Sequence, residues 1–286
     1  MAEAQLNRTR LAYDVVGDGP TIVFVAGLGM DRTTWRRQVD FFRITHRVVT
    51  FDVRGAGGSG PLHARSGVLA TQAADLKALL EHLGIARAVL CGVSFGGILA
   101  QEFAIRYPDR IAGLVLCDTF CDMKLASRLS RTALVLAAQL AVPMLLVPSL
   151  SLPAVRRMYA RWPHARNTIV KGYRNMRRVE TVRMRLAINR VQNHARLQEV
   201  ACPVLGLVGD ESPQLVELMH RVVDSLGTAE LRVLKNSFDP SNLTQPDTFN
   251  SAVHDFLIDV GWIAQTPGLR GHATGPRTTP GRMDST

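Results

Sequence analysis

Short apolar runs alternate with amphipathic segments along most of the chain. The runs are rich in Val, Ile and Leu and predict buried strands at residues 11–17, 21–26, 46–52, 86–90, 111–117, 204–208 and 230–234. The amphipathic segments have helical spacing and lie at residues 33–42, 69–83, 98–104, 213–226 and 249–260. Strands that alternate with helices predict a parallel sheet covered on both faces. The Gly- and Pro-containing turn at residues 17–20 predicts a hairpin-like connection between the first two strands.

The strand pattern stops after residue 119, and helical patterns take over until residue 196. We expect this insertion, residues 120–196, to form a lid over the carboxyl ends of the strands, where ligands bind in such sheets. The core would then consist of residues 1–119 and 197–262. Residues 263–286 are rich in Gly, Pro, Thr and Arg, which predicts a disordered tail.

Length and composition describe a globular protein. The chain has 286 residues, of which 47% are hydrophobic and 20% charged, enough for one domain with an insertion. The polar start of the sequence lacks the apolar core of a secretory signal, so we expect a cytoplasmic location. The four cysteines lie in or beside apolar runs without metal-ligand spacing, which predicts reduced core thiols and no bound metal. We expect no cofactor.

The positive charge is concentrated in one stretch. The formal net charge is +10, and residues 151–200 contain 12 Lys and Arg against two acids, which accounts for the whole imbalance. No nucleic-acid-binding motif accompanies this stretch, so we do not expect a nucleic-acid partner. A solvated helical face is the simplest interpretation.

The strongest chemical signal is the G-V-S-F-G motif at residues 92–96. It follows an apolar run and precedes a helical pattern, which is the context of a nucleophile elbow. Gly92 and Gly96 are needed because strand and helix come too close for a Cβ atom. Ser94 would lie above the sheet at a helix N-terminus, where the helix dipole favours negative charge.

Three motifs in order resemble the α/β-hydrolase superfamily, in its small lidded branch of esterases, haloperoxidases and C–C hydrolases. They are the G-L-G loop at residues 27–29, the D-V-R-G-A-G-G-S turn at residues 52–59, and the elbow. The resemblance spans residues 11–260 and implies an α/β fold: a mostly parallel, doubly covered sheet with a helical lid inserted after the sixth strand. It also implies an oxyanion hole formed by the backbone N–H groups of Leu28 and Phe95, supported by Gly27 and Gly29. The turn at residues 52–59 is expected to be structural.

The sequence departs from the family at the other two members of the usual catalytic triad. Ser212 stands where the family has its acid, and Asp239 stands where it has its histidine. We therefore expect Ser94 and Asp239 to be the catalytic residues, with Ser212 donating a hydrogen bond to Asp239. Burial under the lid would raise the pKa of Asp239 and make it usable as an acid or base. The alternative is a decayed site in which Asp239 is solvated.

A second set of alternatives concerns the base. Asp118, which follows the strand at residues 111–117, occupies another acid position of some relatives. It would assist only if a histidine such as His63 or His164 reached the site.

The lid sequence suggests the substrate. Residues 134–152 are strongly apolar, but Gln139, Pro143 and Pro148 argue against a membrane-spanning helix. An apolar wall beside an Arg-rich segment suits a hydrophobic substrate that is anionic or linked to a carrier, such as acyl carrier protein or coenzyme A. The same features suit peripheral contact with an anionic membrane. The candidate substrate-binding residues of the lid are Leu140, Met144, Tyr159 and Trp162.

These observations lead to one main functional hypothesis and two alternatives. The main hypothesis is an enzyme that acts on a small hydrophobic carbonyl compound (an ester, thioester or polyketide-like molecule) by elimination, cyclisation or C–C bond chemistry, with Asp239 as proton shuttle. The Arg- and Ala-rich composition is compatible with a biosynthetic tailoring enzyme. The alternatives are a Ser94-dependent hydrolase with a base from elsewhere, and a catalytically silent binder of hydrophobic ligands.

Overall fold

The computed structural model describes residues 2–263, and eight strands of this part of the chain form one mixed sheet. In chain order, β1 to β8 are Ala2–Leu6, Thr9–Val16, Thr21–Val25, Arg47–Phe51, Ala88–Val93, Ile111–Cys117, Val204–Gly209 and Ala229–Leu234. Their spatial order is β1-β2-β4-β3-β5-β6-β7-β8, and every pairing from β4 to β8 is parallel. The carboxyl ends of these parallel strands therefore meet at one edge of the sheet. The predicted disordered tail lies outside the described residues from residue 264 onward.

Helices cover both faces of the sheet. In chain order, α1 to α10 are Arg36–Phe42, Val68–His82, Phe95–Arg106, Arg128–Leu146, Pro148–Met158, Pro163–Asn175, Arg178–Ile188, Pro213–Asp224, Ser241–Thr244 and Pro246–Asp259. Two buried apolar clusters result, one on each side of the sheet. One contains Leu76 of α2 and Phe103 of α3, and the other contains Phe42 of α1 and Phe249 of α10. The structure is the α/β fold that the alternating pattern predicts.

One prediction about the first strands was wrong, and one strand was missed. The hairpin between β2 and β3 does not form, because β4 lies between them and pairs with β2 in antiparallel and with β3 in parallel orientation. The glycines of the turn instead pack against the segment that precedes β4: a Cβ on Gly17 would lie 2.3 Å from the carbonyl oxygen of His46. The polar start of the chain was not predicted as a strand, yet it forms the edge strand β1. An edge strand tolerates polar side chains because much of it faces solvent.

The helices α4 to α7 lie between β6 and β7 and form the insertion. Helix α4 buries only Ala138 and Leu145, which are seven residues and so two helical turns apart. Its 19 residues are long and apolar enough to cross a membrane by length and composition, and 11% of that window is buried. Leu136 and Leu140 are among its exposed apolar residues. Contact of this face with an anionic membrane remains a prediction.

Candidate active site

The elbow is built as the motif predicts. Ser94 stands between β5 and α3 with φ 54° and ψ −115°, a strained backbone for a residue other than glycine. Its N–H donates a hydrogen bond of 2.8 Å to the carbonyl of Cys117, and its carbonyl accepts one of 2.9 Å from the Thr119 hydroxyl. The end of β6 therefore holds the strained turn in place.

The prediction for the two elbow glycines is confirmed. A Cβ on Gly92 would lie 2.3 Å from the carbonyl oxygen of Gly96. A Cβ on Gly96 would lie 2.1 Å from the carbonyl oxygen of Val25. Both obstacles are backbone atoms, which cannot move aside as a flexible side chain can. Helix α3 consequently packs directly against the strands on either side of its start.

The loop after β3 brings backbone donors to Ser94. The Cβ position of Gly27 lies 3.8 Å from the Ser94 Cβ atom, and Gly29 has a φ of +74° that favours glycine. Among the described residues, no hydrogen-bond acceptor pairs with the N–H groups of Leu28 and Phe95. Two open N–H groups beside the serine are the arrangement that binds an oxyanion, and each such donor contributes about 3–4 kcal/mol to a transition state.

The turn at residues 52–59 is structural in this geometry. The buried Asp52 carboxylate accepts hydrogen bonds from the backbone N–H groups of Arg32 (2.7 Å) and Gly58 (2.8 Å) and forms an ion pair with the Arg32 guanidinium. A Cβ on Gly57 would lie 2.2 Å from an oxygen of the same carboxylate. The acid therefore organises the loop beneath the site and does not line the cavity next to Ser94.

Asp239 reaches Ser94 from the loop after β8. Both residues border a cavity of about 190 Å³, and the Ser94 side chain acts on the Asp239 carboxyl by lowering its pKa. The inserted segment that contains α4 to α7, called the lid from here on, covers the cavity. Its residues that line the cavity include Leu145, Tyr159, Tyr173, Met176 and Arg185. The Tyr159 hydroxyl donates a hydrogen bond to the backbone carbonyl of Asp239, which attaches the lid to the loop. A carboxyl group thus faces the serine under a mostly apolar roof.

A second carboxylate lies behind the first. Asp118 is buried at the end of β6 and accepts hydrogen bonds from the Gly209 N–H (3.0 Å), the Ser241 N–H (2.6 Å) and the Ser241 hydroxyl (3.0 Å). Burial raises the pKa of Asp239 well above its usual range, and the negative charge of Asp118 raises it further. Ser94 and Arg185 oppose the shift. Burial raises the pKa of Asp118 as well, but these hydrogen bonds and one from the Cys117 thiol (3.2 Å) oppose that shift, so the pKa of Asp239 is raised more strongly.

This raised pKa predicts how stability depends on pH. Native Asp239 keeps its proton to a higher pH than the unfolded chain does, so the free energy of unfolding falls as pH rises above the ordinary aspartate pKa of about 3.9. Asparagine cannot ionise, so we expect Asp239→Asn to melt at a higher temperature than the wild type, by a margin that grows from about pH 5 to about pH 8. Calorimetric melting at several pH values measures this margin. Asp18→Asn, which removes an exposed carboxylate, is the control. A margin independent of pH would contradict the shift.

Ser212 does not take the place predicted for it. It forms the N-cap of α8, and its carbonyl accepts hydrogen bonds from the N–H groups of Leu215 and Val216. It does not line the cavity, and the group that acts on Asp239 electrostatically from behind is Asp118. The predicted hydroxyl donor is therefore replaced by a carboxylate, whose charge is stabilised by hydrogen bonds from Gly209 of β7 and Ser241 of α9.

Of the four lid residues proposed to bind substrate, Tyr159 alone lines the cavity among those the structure describes. Leu140 and Met144 are 66% and 49% exposed, because the next residue, Leu145, turns about 100° further around α4 and faces inward. Trp162 donates a hydrogen bond of 3.2 Å to the carbonyl of Asn236 at the rim and stacks with the Arg161 guanidinium, outside the cavity. The prediction that Leu140, Met144 and Trp162 line the site is therefore wrong, and the substrate that the lid sequence suggested stays a prediction.

Histidine does not reach the site in the part of the chain that the structure describes. His63 and His164, the two candidates for a recruited base, are exposed and do not line the cavity. His46 is buried on another part of the sheet and hydrogen-bonds the carbonyl of Trp262 at 3.0 Å. The group nearest to the role of base is therefore Asp239.

One cluster outside the cavity brings together possible metal ligands, which the spacing of the cysteines does not predict. Atoms of Cys121, Asp122 and His194 lie within 4.8 Å of one another. However, both carboxylate oxygens of Asp122 accept hydrogen bonds from Arg221, at 3.1 and 2.9 Å. Burial also raises the pKa of the Cys121 thiol to about 11, which disfavours the thiolate that a metal requires. The cluster is consistent with an ion-paired structural contact.

Comparison with known proteins agrees with the fold and the elbow. Residues 20–145 match the family described as alpha/beta hydrolase fold. The chain is 29% identical over 256 residues to 3-oxoadipate enol-lactonase 2 of Acinetobacter baylyi, covering 82% of this chain and 88% of that protein. The chain belongs to the α/β-hydrolase superfamily. Its relatives in this superfamily are enzymes of the hydrolase type.

Solved structures show the same architecture. The enol-lactonase of Burkholderia xenovorans LB400 superposes with a TM-score of 0.77 at 24% identity, covering 90% of this chain and all of that one. A thermophilic esterase of Thermogutta terrifontis superposes with a TM-score of 0.75 at 25% identity, covering 88% of this chain and 94% of that one. These superpositions confirm the mostly parallel sheet that the sequence predicts.

Sequence reasoning missed two of the groups at the cavity. Tyr173 and Arg185 both belong to the Arg-rich stretch, for which the sequence left open a solvated face or the rim of an anion-binding site, without naming either residue as a site residue. The available signal was helical spacing: Met184 is buried, and its neighbour Arg185 turns about 100° away and into the cavity. Unless the position of α7 is known, nothing in the sequence distinguishes Arg185 from the other arginines of the stretch.

Proposed function

We propose that this protein is an enzyme that moves a proton at the carbon next to a carbonyl group of a small molecule. The observation that carries the proposal is the carboxyl of Asp239 facing Ser94, with Asp118 behind it, in a cavity that no described histidine lines. A serine hydroxyl is a poor nucleophile without a base that takes its proton. In the usual triad that base is an imidazole, and no described histidine lines this cavity.

The same groups suit proton transfer. Asp239 in its ionised form would take the proton from the α-carbon, while the electron pair of that C–H bond moves to the carbonyl oxygen and forms an enolate. The N–H groups of Leu28 and Phe95 would stabilise the enolate oxygen. Ser94 would hydrogen-bond and orient the carbonyl. Asp239 would then return the proton to carbon, or an elimination, cyclisation or C–C bond step would follow from the enolate.

A raised pKa suits this role. A carboxylic acid with an ordinary pKa is too weak a base to take a proton from carbon, and base strength increases as the pKa rises toward the working pH. Burial and the neighbouring Asp118 both raise the pKa of Asp239. Shifts of this kind are concentrated at functional carboxyl groups.

The direct test is exchange of the α-protons of a small ketone. Wild-type protein is incubated in D₂O with 4-oxopentanoate or with methyl 4-oxopentanoate, and loss of the α-CH signals is followed by proton NMR. We expect exchange above the rate with buffer alone for at least one of the two probes. Exchange at the buffer rate with both would contradict the proposal.

A Ser94-dependent hydrolase is the second candidate, because the elbow and its two open N–H groups are intact and the named relatives include a lactonase and an esterase. A fluorophosphonate separates the two candidates, since it reacts only with an activated serine. For the proton-transfer enzyme we expect no stoichiometric adduct by intact-mass analysis of wild type, and the same result for Ser94→Ala. An adduct that forms in the wild type and is lost in Ser94→Ala would favour the hydrolase over the proton-transfer enzyme.

A further inference from the structure

Arg185 is the one cavity-lining residue with a permanent charge among those the structure describes. It extends from α7, whose neighbouring residues are fixed: the Arg183 guanidinium donates to the carbonyl of Leu62, and Met184 is buried and accepts a hydrogen bond of 3.3 Å from Gln72. With residue 184 packed inward, the helix directs residue 185 toward the cavity that holds Ser94. The packing of α7 therefore fixes the position of Arg185 at the cavity.

Among the described residues, the guanidinium of Arg185 forms no ion pair. Its Nε atom is buried without a hydrogen-bond partner, and within residues 2–263 the group forms no ion pair or hydrogen bond with another side chain. Burial lowers the pKa of Arg185, and the nearest groups that oppose this shift are Tyr173 and Asp239. Removing a charge from water without pairing it is costly, so buried charges are normally paired. An unpaired cation that faces a cavity points to a ligand.

The remaining charges of the site do not satisfy this cation. The Asp118 carboxylate accepts hydrogen bonds from Gly209 and Ser241, and among the described residues neither Asp118 nor Asp239 forms an ion pair or hydrogen bond with Arg185. The Arg185 guanidinium therefore borders the cavity without an ion-pair partner among the described residues. A single planar anion from the substrate would neutralise it.

We propose that Arg185 binds a carboxylate of the substrate, so that the enzyme acts on small oxo acids or other carbonyl compounds that carry one carboxylate. This inference rests on the proposed function for the reacting carbonyl, while the carboxylate contact itself concerns binding alone. A guanidinium matches a carboxylate with two parallel hydrogen bonds. The lid would fix the acid end of the molecule, and the N–H groups of Leu28 and Phe95 would receive its carbonyl. The cavity volume of about 190 Å³ suits a molecule of this small size.

Binding of acid and ester pairs tests the inference without turnover. The probes are 4-oxopentanoate and 3-oxo-3-phenylpropanoate, each with its methyl ester, and calorimetry measures Kd for wild type and variants. A charge-assisted contact of about 1.5–3 kcal/mol corresponds to about 10- to 150-fold in Kd. We expect wild type to prefer the acid of at least one pair by this factor. Arg185→Met should lose the preference by weakening the acid alone, and Arg185→Lys should retain part of it.

The matched control is Arg178→Met, which removes the same charge from the exposed first turn of the same helix. It should bind both members of each pair as wild type does. Because Arg185 has no partner, Arg185→Met should melt no lower than wild type, whereas a purely structural arginine would lower the melting temperature. The inference is overturned if wild type prefers neither acid, or if Arg185→Met keeps the preference.

The two proposals can fail separately. If the acid preference depends on Arg185 but no α-proton exchange occurs, the carboxylate site stands and the proton-transfer function fails. If exchange occurs and Arg185→Met leaves the acid preference unchanged, the function stands and the carboxylate site fails.

Discussion

The Asp239→Asn variant is expected to exchange the α-protons of 4-oxopentanoate about 10²- to 10⁴-fold more slowly than wild type, the usual contribution of a positioned acid or base. Asparagine has nearly the same shape as aspartate but cannot take a proton from carbon. The hydrogen bond from Tyr159 goes to the backbone carbonyl of residue 239, so the loop stays attached to the lid in the variant. Proton NMR in D₂O measures the exchange rates of both proteins under identical conditions.

Two controls accompany this measurement. Ser94→Ala should lose less activity than Asp239→Asn, because Ser94 orients the carbonyl and does not move the proton. Asp18→Asn, at an exposed turn, should behave as wild type. If Asp239→Asn kept the full rate while Ser94→Ala lost it, Asp239 would not be the proton-transferring group. The wild-type rate should also rise with pH above the ordinary range of an aspartate, because burial raises the pKa of Asp239 and the ionised form is the base.

The Gly96→Ala variant is expected not to fold, or to lose more than about 4 kcal/mol of unfolding free energy, the level at which single substitutions have a specific structural cause. The added Cβ atom would lie 2.1 Å from the carbonyl oxygen of Val25 and 2.8 Å from that of Ala26. Both atoms belong to the central strand β3 and the start of the oxyanion loop. The clash cannot be relieved without moving the centre of the sheet, so soluble yield and urea denaturation should both show the loss.

Gly227→Ala is the matched control for this prediction. The same methyl group at Gly227 would meet no atom within 4 Å, and the backbone there does not have a positive φ. We expect unchanged or slightly increased stability, since alanine restricts the unfolded chain where the native conformation accepts it. Equal stability of Gly96→Ala and wild type would mean that the close approach of α3 and β3 is not required.

The proposed roles of the catalytic residues depend on contacts between residues that are far apart in the sequence. Asp118 and Ser241 are 123 residues apart, and the hydrogen bonds from Ser241 stabilise charge on the buried acid behind Asp239. A raised pKa of Asp239 could be anticipated from its expected burial, but the sequence placed Ser212 beside it. The structure brings Asp118 there instead, because the ends of β6, β7 and β8 converge at one edge of the sheet.

What the sequence determined by itself is local. The alternation of apolar runs with amphipathic segments specified most strands and helices, and the glycines around Ser94 specified the elbow, because each of these features depends on residues a few positions apart. Local patterns did not predict the order of the strands in the sheet. The predicted hairpin between β2 and β3 was wrong, because β4 lies between these two strands and pairs with both.

The faces of the lid helices were decided by tertiary structure alone. In the stretch that contains α4 to α7, apolar or cationic residues occur on nearly every side of each helix, so periodicity does not show which side is covered. Leu145 rather than Met144, and Arg185 rather than its neighbouring arginines, line the cavity because of where the helices pack over the sheet. Packing is a property of distant segments brought together, and no local pattern encodes it.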